Sequence, residues 1–96
     1  MPTGHAVVDF GSAPGGDTTS VAVTGQAAIL ATSFVEAWID PTQTATADHS
    51  VDEHIMAAAL LGISCSAIVA GTGFTINATT QYGKVSGKFN VAWAWA

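Results

Sequence analysis

Charge is what this chain has least of: 9% of its residues carry one while 49% are hydrophobic, against roughly 25% charge in an average soluble domain. Lys84 and Lys88 are the basic residues, and all seven acids (Asp9, Asp17, Glu36, Asp40, Asp48, Asp52, Glu53) precede His54, giving a net charge of −5. A phosphate backbone would find no basic footprint here, so nucleic acid is excluded as a partner. Cys65 is the single cysteine. That rules out an intrachain disulfide and a cysteine-rich zinc site, and the run Ile63, Ser64, Cys65, Ser66, Ala67 reads as buried and inert. The start, Met1 to His5, lacks a basic n-region and an apolar h-region, so no secretory signal is expected and folding in a reducing cytosol follows. The sequon Asn77, Ala78, Thr79 then reads as accidental. Ile55 to Gly71 is uncharged, but Gly62, Ser64 and Ser66 interrupt it, it is short for a span and no Lys or Arg flanks it. No membrane partner is expected.

What remains is a chain of 96 residues without repeat or linker, one domain over 1–96 and large enough for a modest core. Strand patterning dominates both ends. Phe89, Val91, Trp93 and Trp95 alternate with Asn90, Ala92, Ala94 and Ala96, giving one large aromatic face and one almost bare. A strand so poorly guarded by charge belongs at the centre of a sheet or against a partner subunit. Ala6 to Phe10 and Ser20 to Gly25 read as strands joined by a Gly/Pro loop over Gly11 to Asp17, a long-looped hairpin. Ser33 to Asp40 is a third strand, with Phe34, Glu36 and Trp38 on one side and Val35, Ala37 and Ile39 on the other; Pro41 stops it. Thr42 to Ser50 is a polar loop. Ile63 to Ala70 and Phe74 to Thr80 are strands flanking a Gly71, Thr72, Gly73 turn, and Gln81, Tyr82, Gly83 make a further turn. The fold class is mainly β, an antiparallel β-sandwich of jelly-roll or Ig-like kind.

Residues 51–61 carry two conflicting signals. Ser50 with Glu53 looks like a capping box, Ile55 to Leu61 is rich in Ala and Leu, and Gly62 could end a helix, so local rules give a short helix there. Another likeness points the other way. Thr46, Ala47, Asp48, His49, then Asp52, Glu53, His54, then Gly71 to Ile76, and finally Phe89 to Trp95 resemble small virion proteins of tailed bacteriophages. That resemblance covers most of the chain and implies a short β-rich protein that decorates a capsid or forms a tail or fibre part. It also implies a strand after His54, and the all-β reading is adopted over 51–61 because tertiary pairing overrides local propensity.

Candidate sites are few. His49 and His54 stand among Asp48, Asp52 and Glu53, a metal-binding chemistry, but their spacing suits neither a strand face nor a helix face. They read instead as a polar cluster at the surface or at a subunit contact, with no metal and no other cofactor. Ser64 and Ser66 lack nucleophile-elbow glycines, Gly71 to Gly73 lacks the rest of a dinucleotide loop, and nothing pairs Asp9 or Glu36 as general acids, so no enzyme is expected. Phe89, Val91, Trp93 and Trp95 are core by alternation. Trp38, sharing its side with Glu36, is the better exposed anchor, and Tyr82 is a further aromatic that could stack on a sugar ring. The expected interface is Trp38, Ala92 and Ala94 with His49 and His54.

An ion-poor exterior leaves a domain little to hold its neighbours off, so this one reads as a subunit covered by other protein. With the resemblance, the expectation is a non-enzymatic virion protein made in the host cytoplasm. Its partners would be the major capsid protein or other virion proteins and its own copies, as a decoration or cement subunit. The alternative is a tail or fibre module that binds host-surface glycan.

Overall fold

The bare alternate face of the last strand is explained by its place in the sheet. In the computed structural model, which describes residues 2–41, 51–81 and 83–96 apart from the side chains of Val51 and Asp52, that strand has a neighbour on each side. The elements are β1 (Thr3–Asp9), β2 (Thr18–Val23), β3 (Val35–Ile39), α1 (Val51–Leu60), β4 (Leu61–Val69), β5 (Gly73–Thr80) and β6 (Lys88–Trp95). They form two antiparallel three-stranded sheets, ordered β1-β6-β3 and β2-β5-β4, packed on each other as a small mainly-β sandwich. The loop read over Thr42 to Ser50, which holds Asp48 and His49, and Tyr82 in its turn lie outside the described residues.

Both central strands supply the core. From β6 come Phe89, Val91, Trp93 and Trp95, and from β5 Phe74, Ile76 and Ala78, with Val8, Phe10, Val23, Ile29 and Ile39 filling the margins. Phe74 meets Trp93 edge to face at a centroid distance of 5.5 Å, tying the two sheets together. Gly4 lies opposite Trp93 in the β1–β6 ladder, where a Cβ would come within 2.4 Å of the indole ring. Its bare backbone is the space that lets so large a ring lie flat on its neighbour strand.

Two expectations are corrected. β1 and β2 are not a hairpin: β1 pairs with β6, from Thr3↔Ala94 to Asp9↔Lys88, and β2 pairs with β5, from Thr18↔Thr79 to Val23↔Phe74. The Gly/Pro loop crosses between sheets, held near its far end by a Gly16↔Val85 bridge. Alternation tells which face of a strand is buried but not which strand lies beside it. The strand expected after His54 is instead α1. Met56, Ala57, Ala58, Ala59 and Leu60 favour helix, and helical spacing puts His54, Ala57 and the following Leu61 on one buried stripe that closes the sandwich beside Phe89. Local rules were the better guide there.

The β4–β5 turn matches expectation in place, but its two glycines do different work. Gly71 sits at φ 75°, where a side chain is strained, whereas Gly73 is needed for close approach: a Cβ there would lie 1.8 Å from the Val23 carbonyl oxygen.

Candidate functional site

The outer face of the β1-β6-β3 sheet is where the expected interface residues gather. Strand parity turns Glu36 and Trp38 of β3 outward while Val35, Ala37 and Ile39 face the core. Phe34, just before β3, shares the outward side and pairs through its backbone with Ala96. It is 83% exposed, and Trp38 is 45% exposed. Ala92 lies between Trp38 of β3 and His5 of β1, and Ala94 between Glu36 and Thr3. Because alanine is short, the flanking side chains close over it: Ala92 is 9% and Ala94 3% exposed. Across this low central strand His5 Nδ1 reaches Asp40 Oδ2 at 3.1 Å, a surface pair that joins β1 to β3. A partner would touch Trp38 and Phe34 first and the two alanines hardly at all.

A shallow groove of about 330 Å³ adjoins Phe34, running over Glu36, Ala94, Trp95 and Ala96. Its wall is an aromatic ring, its floor is alanine and its polar group is one carboxylate. That arrangement suits contact and stacking; it holds no nucleophile with a base. Asp9 and Glu36 share the outer face, but they stand opposite Lys88 and Ala94, positions roughly 20 Å apart at strand rise, so they form no general-acid pair. Asp9 Oδ1 accepts the Gly11 N–H at 2.8 Å and so serves the turn.

His54 is not on this face. The structure places it fully buried on α1, its ring edge to face with Phe89 at 5.5 Å and its Nε2 accepting the Asn90 N–H at 2.9 Å. The lone pair a metal would need is thereby engaged. Among the described residues no three of His, Cys, Asp and Glu come together as a metal cluster; His49 and Asp48 lie outside them. Cys65, on β4, is half-buried, and burial first and Glu36 second push its thiol pKa up. Ser64 and Ser66 are exposed on the opposite side of that strand, Ser66 Oγ accepting from Asn77 Nδ2 at 2.9 Å, which occupies the sequon asparagine in a central strand.

Phe34 is a residue the expected interface did not include: its parity with Trp38 turns it outward, and it is more exposed than any other large hydrophobic residue among those described. A second apolar groove, about 230 Å³, lies between Met56 and Leu60 of α1 and Val85 and Phe89. Among the described residues no helix is long and apolar enough to cross a membrane. Comparison of the chain with protein-family models, with curated proteins and with solved structures gave no match.

Proposed function

We propose that this chain is a non-enzymatic structural subunit of a phage virion that decorates or cements the capsid, docking through the outer face of the β1-β6-β3 sheet. The observation that carries the reading is a bare aromatic ring, Phe34, beside a half-exposed one, Trp38, on an alanine-floored sheet in a chain with so little charge. Such rings are the anchors of protein interfaces, and covering them stabilises a complex by roughly 25 cal/mol per Å² of apolar area. Few ions need desolvating at the contact. The likeness of the sequence to small virion proteins makes the major capsid protein the favoured partner, with copies of the chain itself as neighbours. The net charge of −5 supplies enough repulsion to keep the chain soluble before docking.

The test is co-sedimentation of the purified chain with capsids lacking it, beside the Phe34→Ala/Trp38→Ala double variant. Binding by the parent chain and its loss in the variant support the reading; absence of the parent chain from the pellet ends it. A second reading, a tail or fibre module for glycan, is favoured by the same rings, since Phe34, just before β3, and Trp38 within it are four residues apart, roughly 13 Å at strand rise, with the Glu36 carboxylate between them to accept from hydroxyls. Glycan-array binding that depends on Trp38 would select it over the first.

A further inference from the structure

We infer that the free edge of β4 is a seam at which a second copy of this chain pairs, strand to strand, in antiparallel register. The inference rests on the reading of the chain as an assembly subunit and gives that reading a partner and a surface. An edge strand leaves one row of backbone N–H and C=O groups without a ladder partner in its own sheet, and that row recognises another strand. The two sheets have four edges, β1 and β3 in one and β2 and β4 in the other.

Three of the four edges are guarded. β1 carries His5 and Asp9, and β3 is 5 residues long, carries Glu36 and runs into Asp40 and Pro41. β2 is 6 residues long, has Asp17 at its head and is fastened toward β1 by the Thr19 hydroxyl, which donates to the Asp9 carbonyl at 2.8 Å. β4 lacks the charge, the short length and, among the described residues, the side-chain fastening, although β3 packs alongside it as β1 does alongside β2. β4 runs 9 residues with neither a charge nor a proline, and β5 is its one ladder partner among the described strands. Its outward positions are small: Gly62, which has no side chain, Ser64 and Ser66. Regular pairing ends just past Ser66 at a bulge, with Ala67 at φ 53°, which confines an added strand to 62–66 and stops the contact from growing into a fibre.

That window is its own complement. A two-fold axis through its centre, Ser64, sets Ser64 against Ser64, Gly62 against Ser66, and Ile63 against Cys65 of the second copy. Inward residues then face inward residues, as one continuous six-stranded sheet requires. No charge and no bulky group meets its like. With −5 on each copy, a neutral edge is where two copies repel least. Glu36 of β3, near enough to act on the Cys65 thiol, is the carboxylate that each copy would bring toward the seam, so added salt or Glu36→Gln should tighten the pair.

Sedimentation equilibrium of the full chain over a range of concentrations tests the seam. The expected result is a reversible dimer, weakened roughly threefold to tenfold by Ser64→Lys and by Ser64→Asp and restored when the two variants are mixed in equal amounts. Ser64 is exposed and the hydrogen bond to Asn77 belongs to Ser66, so unchanged circular dichroism and melting confirm that the variants fold. A parent chain that stays monomeric at every concentration overturns the inference. So do variants that dimerise like the parent, a mixture that fails to rescue, or a dimer abolished only by Phe34→Ala/Trp38→Ala. A chain that shows the Ser64 rescue yet does not bind capsids supports the seam while removing the capsid reading.

Discussion

The imidazole of His54 takes over from β3 as the partner of β6: its Nε2 accepts the Asn90 N–H at 2.9 Å immediately beside the Asn90 carbonyl that accepts the Asp40 N–H at 3.0 Å. Both backbone groups of Asn90 point to the β3 side, and β3 ends at Ile39, so without the histidine a buried N–H would lack this acceptor. His54→Leu keeps an apolar body and removes the acceptor, which should destabilise the fold by about 1–3 kcal/mol. His54→Ala adds a cavity and should cost more, about 3 kcal/mol or above. Urea denaturation gives the energies, and amide exchange at Asn90 gives the mechanism. A Leu variant of parental stability with Asn90 still protected would sink this account.

The strands were legible in the sequence because alternation is local. The bare alanine face of β6 points to the centre of a sheet or to a partner subunit, and the structure gives the centre; β3 divides into Val35, Ala37, Ile39 and Glu36, Trp38 faces that the structure keeps. Strand pairing was not legible, since β1 finds β6 across almost the whole chain and no local pattern encodes that choice. The site was half visible. Trp38 followed from parity, whereas His54 looked like surface because Asp52 and Glu53 precede it; only its spacing to Ala57 and Leu61, read as helical, would have put it inside.

Trp93 and Trp95 should respond differently to the same substitution. Trp95 Nε1 donates to Gln26 Oε1 at 2.9 Å, whereas the buried Nε1 of Trp93 has no acceptor among the described residues. Trp95→Phe removes a hydrogen bond and strands the Gln26 oxygen, while Trp93→Phe also relieves an N–H that is already unpaired. Trp95→Phe is therefore expected to cost about 1 kcal/mol more once ring size is matched. A cycle with Gln26→Ala checks it: coupling should be present at Trp95 and absent at Trp93.

Gly73→Ala tests the close approach of β5 to the end of β2. The added Cβ would fall 1.8 Å from the Val23 carbonyl oxygen, which is backbone and has no rotamer to escape into. One strand end must move, at a cost of about 3 kcal/mol. Gly25→Ala is a useful contrast, because nothing lies within 4 Å there and its φ of 77° brings strain without collision. Thermal melts should rank Gly73→Ala clearly below Gly25→Ala, and the reverse order would refute the packing argument.

Cys65 ties stability to alkaline pH. Burial, and then the neighbouring Glu36 carboxylate, raise the thiol pKa in the folded chain above its ordinary value, so the unfolded chain ionises first as pH climbs. The sign follows from proton counting: below the unfolded pKa, about 8.5, both states hold the proton and the thiol's contribution is complete. Between that value and the raised folded pKa the unfolded state has released a proton that the folded state keeps, and stability declines. Urea midpoints measured from neutral pH to pH about 10 should therefore fall more steeply for the parent chain than for Cys65→Ala, with the curves parallel near neutrality. Glu36→Gln should leave the onset where it is and reduce the total loss only modestly, because the onset belongs to the unfolded chain and burial is the larger cause of the folded shift. Equal slopes in the parent chain and Cys65→Ala would mean that the thiol titrates alike in both states and that β4 shields it from water far less than its half-buried position implies.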